Sequence, residues 1–278
     1  MQGLWRRLVT AVIFVIIMAA GHFTGPYTFA TLFLIIAGGC LWEFLGLTLD
    51  LHTRRDKIRK VFGVTLGLMP FVLVTVLKLL HINDPENFIS ISAVVFSPLV
   101  FTIFIYELYS NSKDPFANIA FMILGLFYIG LPFALVDFIA FDGPDFRHRI
   151  VFGLLILTWV NDTGAYLTGS LIGKTPLFPR ISPKKTWEGS IGGLVTTLVF
   201  GWLLSFIFDE IPLAQWLGLA VIVGIFGGLG DLVESMLKRS VNIKDSGNLL
   251  PGHGGLLDRF DAFIFVVPFA TAYVLYFR

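Results

Sequence analysis

GIFGGLGDLVESMLK (residues 224–238) and, after a polar loop, PGHGGLLDRFD (251–261) decide how this chain is built. On a helix at about 100° per residue, Gly224, Gly227, Gly228, Asp231, Glu234, Ser235 and Lys238 share one face. Ile225, Phe226, Leu229, Leu232, Val233, Met236 and Leu237 cover the other. One side suits lipid or an apolar neighbour; the other is small, then charged. Glycines so placed let a second backbone or a ligand come close. The loop carries Lys244, Asp245 and the run Pro251 to Gly255, and the next apolar run opens with Asp258, Arg259 and Asp261. Asp258 and Asp261 are three apart and so neighbours on one helical turn. Carboxylates on two converging segments, with Lys and Arg beside them, suit a divalent cation holding a phosphate. Mg²⁺ takes one or two carboxylates and completes its shell with phosphate oxygens and water. A glycine loop can aim N–H groups at the same anion. The plainer alternative is an ion-paired helix hairpin with a linker. Ionisable residues at the edge of an apolar span favour function over that alternative.

Working outward, the rest of the chain is apolar. Of 278 residues, 56% are hydrophobic and 14% charged, against roughly a quarter charged in a soluble domain. Mean hydropathy is +0.82. Apolar runs near 6–22, 27–48, 61–80, 89–109, 116–140, 150–171, 189–207, 212–237 and 259–277 each approach the length needed to cross ~30 Å of hydrocarbon as a helix. The expectation is an all-α polytopic membrane protein of about nine transmembrane helices, the first being the shortest. Ten-residue alternation is absent, so no strands and no outer-membrane barrel are expected. The chain reads as one membrane-embedded unit with a scaffold at 1–110, a middle segment at 111–148 and a catalytic region at 149–278. Residues 8–20 have the outline of a signal peptide, but the charge pattern requires an uncleaved first span. The single cysteine, Cys40, excludes an intramolecular disulfide and a Cys-based zinc site.

With the N-terminus in the cytoplasm, sixteen of the twenty Lys and Arg fall on the inner side; only Lys78, Arg147, Arg149 and Arg278 fall outside. This positive-inside bias puts loops 173–188 and 238–258 in the cytoplasm and the C-terminus outside. The inner membrane is the expected location, with the active site on its cytoplasmic side. The cluster Arg54 to Lys60 reads first as a topology signal. Glu43 and Glu107 are ionisable exceptions in early spans and read as hydrogen-bonded packing contacts.

The sixth span holds Thr158, Asp162, Ala165 and Gly169 on one face. A bare carboxylate at the position of Asp162 is costly, so it must pair, bind a cation or be protonated. Beyond it lie Lys174, Arg180 and SPKKTWEG (182–189). A lysine pair with hydroxyls before a glycine-containing helix start suits a triphosphate; the alternative is an ordinary charged juxtamembrane loop. His253 taken alone reads as a loop hydrogen-bonder.

SMLKRSVNIKDSGNLLPGHGGLLDRFD (235–261) resembles the signature of the phosphatidate cytidylyltransferase family, the CDP-diacylglycerol synthases. DTGAY (162–166) and SPKKTWEG (182–189) are similar to further segments of that family, so the resemblance covers about 158–262. It implies that CTP and phosphatidate give CDP-diacylglycerol and pyrophosphate. It also implies Mg²⁺, with K⁺ as an accompanying cation, and a homodimer. No nucleic-acid partner is expected. On this reading Asp231, Asp258 and Asp261 are metal ligands, directly or through water. Lys184, Lys185, Lys244 and Arg259 hold phosphates, Ser182, Arg239 and His253 are further substrate-binding candidates, and Glu234 and Asp162 orient their neighbours. The lipid enters sideways from the bilayer. Two alternatives stand beside this: a CTP-dependent enzyme acting on another lipid phosphate, and an ion-coupled transporter. The second would place its site near the midplane and show inverted repeats, whereas these residues gather at one face.

Overall fold

The computed structural model describes residues 2–49, 54–80, 82, 84–142, 145–243, 246–247 and 254–277. The N-terminal half contains α1 (Gln2–Phe23), α2 (Pro26–Thr48), α3 (Arg54–Leu79) and α4 (Pro85–Ser110). Next comes one continuous rod of α5 (Pro115–Gly125), a π-turn (Leu126–Gly130) and α6 (Leu131–Ala140). The C-terminal half contains α7 (His148–Ile172), α8 (Trp187–Ile207), α9 (Leu213–Ser240) and α10 (Leu257–Tyr276). Eight helices among the described residues are long and apolar enough to cross a membrane; α1, with its apolar stretch Val9–Phe23, is the shorter ninth. The protein is an all-α integral membrane protein, and its helices match the apolar runs closely.

Local chemistry sets the ends. Asp84 caps α4 by accepting from the Asn87 N–H at 3.0 Å, with Pro85 at the first helical position. Thr186 caps α8 through the Gly189 N–H at 3.1 Å. Lys238 and Arg239 close α9, where cations suit the negative end of the helix dipole.

Aromatic and aliphatic side chains from α2, α6, α7 and α10 build the core, with Phe29, Phe33, Phe44, Phe133, Phe260 and Phe263 fully enclosed. Cys40 is a buried free thiol among them. α7, α8, α9 and α10 pack successively against one another. At Gly230 on α9, a Cβ would lie 2.9 Å from the Asp261 carbonyl oxygen and 3.0 Å from the Ala262 Cα. Only glycine lets α10 approach so closely, and this contact sets Asp261 beside α9. By contrast α4 is almost uncovered: 6% of its apolar window is buried.

Two features depart from the sequence reading. Short antiparallel pairs are present: β1 (Phe141–Asp142) with β2 (Asp145–Phe146), and β3 (Pro176–Phe178) with β4 (Ser182–Thr186). The second turns the basic loop into a hairpin. Its strands are too short, and too rich in Pro and Lys, to show a β pattern. Arg59 is the other departure. It is not only a topology signal but is buried, paired with Glu107 and, at 2.5 Å, with Asp56. Glu107 also accepts from Ser110 Oγ at 3.0 Å, in keeping with its reading as a packing contact. Asp137, passed over in the sequence, is fully buried on α6 and accepts from Thr75 Oγ1 at 2.5 Å.

Candidate active site

A polar cavity of about 560 Å³ opens among α7, α8, α9, α10 and the β3–β4 hairpin. Asp162 of α7, Lys184 and Lys185 of β4, Asp231 of α9, and Asp258, Arg259 and Asp261 of α10 all line it. Segments nearly a hundred residues apart in sequence therefore meet around one space. Ser182 and Arg239 are not among the lining residues. Arg239 instead donates to the Ile243 carbonyl at 3.3 Å, just past the end of α9. Lys244 and His253 lie outside the described residues.

Hairpin and helix are joined at Lys185. Its ammonium lies 2.6 Å from Asp231 Oδ2 and donates to the Gly228 carbonyl at 3.3 Å. Ser235 Oγ donates to the other oxygen of Asp231 at 3.2 Å. The hairpin base is tied by Glu188, which accepts from the Lys174 N–H at 3.1 Å and the Thr175 hydroxyl at 2.9 Å. Lys184 is exposed on the strand and faces the cavity.

Lys238, to which the sequence reading gave no role, bridges α9 and α10. Its ammonium lies 2.6 Å from Glu234 Oε2 and 2.7 Å from Asp258 Oδ1. The (i, i+4) spacing from Glu234 was the available signal. Asp258 also accepts from the Gly255 N–H at 2.8 Å and the Ser246 N–H at 3.0 Å. Both its oxygens thus anchor the loop, an engagement that its reading as a metal ligand did not include.

Asp162, Asp231 and Asp261 line the same cavity as Lys185 and Arg259. Asp261 is buried and accepts from the Ala262 N–H at 2.8 Å. Among the described residues no group of three or more His, Cys, Asp or Glu side chains is placed to hold a metal ion. The donor set fits Mg²⁺ in its substrate-completed form, with one or two carboxylates and the rest phosphate and water.

A second cavity of about 280 Å³ adjoins the first. Thr10, Phe14 and Val15 of α1 and Trp159 of α7 line it, and it shares Asp162, Asp258 and Arg259 with the polar cavity. A third space, about 440 Å³ against α3, α4 and α6, has no ionisable lining residue.

Comparison with known proteins accords with this geometry. A phosphatidate cytidylyltransferase of Bacillus subtilis is 32% identical over 271 residues, covering 97% of each chain. Phosphatidate cytidylyltransferases of Staphylococcus saprophyticus and Staphylococcus haemolyticus are 44% and 45% identical over 170 residues, or 60% of this chain. The match spans 64% of the length of these staphylococcal relatives. The model of the cytidylyltransferase family matches residues 5–277. From its first helix to its last, this chain belongs to the cytidylyltransferase family.

Proposed function

We propose that the protein transfers the cytidylyl group of CTP to phosphatidate, giving CDP-diacylglycerol and pyrophosphate. The observation that carries this reading is the wall of Asp162, Asp258 and Arg259 common to two adjoining cavities. One is lined by lysines and carboxylates and suits a nucleotide triphosphate. The other runs along apolar and aromatic side chains of α1 and α7 and suits a lipid entering sideways. The names of the relatives point the same way.

In the reaction, a phosphatidate oxygen attacks the α-phosphorus of CTP. The bond from that phosphorus to the bridging oxygen breaks, and its electron pair leaves with pyrophosphate. A phosphate monoester is largely ionised near neutral pH, so no strong base is required. The obstacle is repulsion between two anions. Lys184 and Lys185 hold the triphosphate, and Arg259, on the shared wall, faces both reactants. Asp231 and Asp261 would hold Mg²⁺, with K⁺ accompanying. When bound, Mg²⁺ would neutralise phosphate charge in the ground and transition states. Asp258 keeps the loop and Lys238 in place. The reading puts this site at the cytoplasmic face of the inner membrane, supported by the distribution of Lys and Arg, and takes the working form to be a homodimer, as the resemblance implies.

The test uses purified protein in detergent with phosphatidate, Mg²⁺ and CTP. Label in the cytosine should enter lipid, while label in the γ-phosphate should leave as pyrophosphate. Transfer of γ-label to lipid would reveal a kinase. Substituting other lipid phosphates tests the acceptor. No transfer, alongside ion-driven uptake in proteoliposomes, would establish a transporter.

A further inference from the structure

Glu43 sits on α2, which contributes no lining residue to either polar cavity. Its carboxylate nevertheless reaches the loop that leads into α10. Glu43 Oε2 accepts from the Leu257 N–H at 2.8 Å and from Ser246 Oγ at 3.2 Å. Leu257 is the first residue of α10, and its N–H is one of the donors a helix start leaves without an internal partner. An acceptor from a different helix thus serves in the place of a local cap. The two points held, Ser246 and Leu257, bracket the glycine-rich loop.

Backbone spacing shows how closely the carboxylate is gripped. A Cβ on Gly247 would lie 2.5 Å from Glu43 Oε1 and 2.8 Å from its Cδ. A Cβ on Gly255 would overlap Glu43 Oε2 and Ser246 Oγ. From the cavity side, Asp258 accepts from the N–H groups of Ser246 and Gly255. The loop ends are therefore clamped between two carboxylates, Asp258 inside and Glu43 behind. The Lys60 ammonium on α3 lies 4.1 Å from the ring centroid of Trp42, the neighbour of Glu43 in the chain.

We propose that Glu43 is a positioning residue for the nucleotide site: it fixes both ends of the glycine-rich loop, and through Leu257 the start of α10, from the N-terminal scaffold. Its role rests on the reaction proposed above. Glu43 touches no reactant; it sets where Asp258, Arg259 and Asp261 stand.

The experiment compares wild type with Glu43→Ala, Glu43→Gln and Gly247→Ala, reading hydrogen exchange and steady-state kinetics on folded protein. Glu43→Ala should speed amide exchange across 254–257 by about tenfold or more and cut kcat/KM for CTP by roughly 10–100-fold, the usual effect of losing an outer-shell support. Exchange in α7 and α8 should hold. Glu43→Gln keeps an oxygen for the Leu257 N–H and should recover part of the loss. Gly247→Ala should displace Glu43 and reproduce it. Unchanged loop exchange, or faster exchange with unchanged CTP kinetics, overturns the proposal. Failure of all three variants to fold also overturns it, marking Glu43 as a stability element. If wild type shows no cytidylyl transfer, the proposed reaction falls, and the exchange data alone decide whether Glu43 holds the loop.

Discussion

Lys185 on the hairpin and Asp231 on α9 form a 2.6 Å ion pair within the wall of the polar cavity. Their side chains retain 27% and 35% exposure, so the pair faces the cavity and is open to exchange. A residue proposed to hold phosphate and one proposed to hold a cation are thus partners of each other. On the proposed function, CTP and its metal would compete for both side chains.

The two side chains should therefore behave as a unit. Lys185→Ala should weaken CTP use strongly, and Asp231→Asn should lower turnover by about 10²-fold, a typical loss of electrostatic stabilisation. The double variant should fall well short of the sum, because contacting residues couple by ~0.5–3 kcal/mol. Strict additivity in kcat/KM would show that the pair does not share one task.

Asp258 and Asp261 should separate by phenotype. Asp261→Asn should fold and lose about 10²-fold in turnover. Asp258→Asn should mainly loosen the loop, because it weakens acceptance from Lys238 and the Gly255 N–H. Lys238→Met leaves the buried Glu234 and the half-buried Asp258 without their shared cation. It should cost about 3–5 kcal/mol, visible in thermal unfolding. Equal stability of Asp258→Asn and Asp261→Asn would remove the distinction.

Arg59→Met should be a stability variant only. Arg59 and Glu107 side chains are 3% and 1% exposed, and unpairing a buried carboxylate costs about 3–5 kcal/mol. The folded fraction should show an unchanged KM for CTP. A raised KM would place this pair in communication with the nucleotide site.

Topology is open to thiol labelling. With Cys40 removed, single cysteines at Lys113, Arg180, Ser240 and Asp209 occupy exposed positions. An impermeant reagent applied to intact cells should label only Asp209→Cys. External labelling at Arg180→Cys or Ser240→Cys would put the polar cavity on the wrong side for cytosolic CTP.

Helix positions were legible because lipid-spanning segments must be long, apolar and internally hydrogen-bonded. Asp162, Asp231 and Asp261 were legible because an ionisable group in such a segment is costly without a use, and Lys185 because a lysine pair precedes the glycine-containing start of α8. Partnerships were harder to see. Nothing in the spacing of Glu43 and Leu257 announces a bond across 214 residues. The hairpin at 176–186 escaped because its pairing depends on the Glu188 tie and on Thr186 capping α8, not on a run of β-formers.

α4 has 26 residues, and at 1.5 Å rise per residue it measures about 39 Å. Its apolar run, 89–109, accounts for about 32 Å of that, close to the ~30 Å of hydrocarbon it crosses. Arg59 of α3 holds it at Glu107, near one end, and its neighbours bury little else of it. A helix so placed accommodates a change in bilayer thickness by tilting, at a fraction of a kcal/mol per Å. The end of α4 away from Glu107 thus answers to membrane thickness, while α7 to α10, wedged together around the polar cavity, keep their inclination.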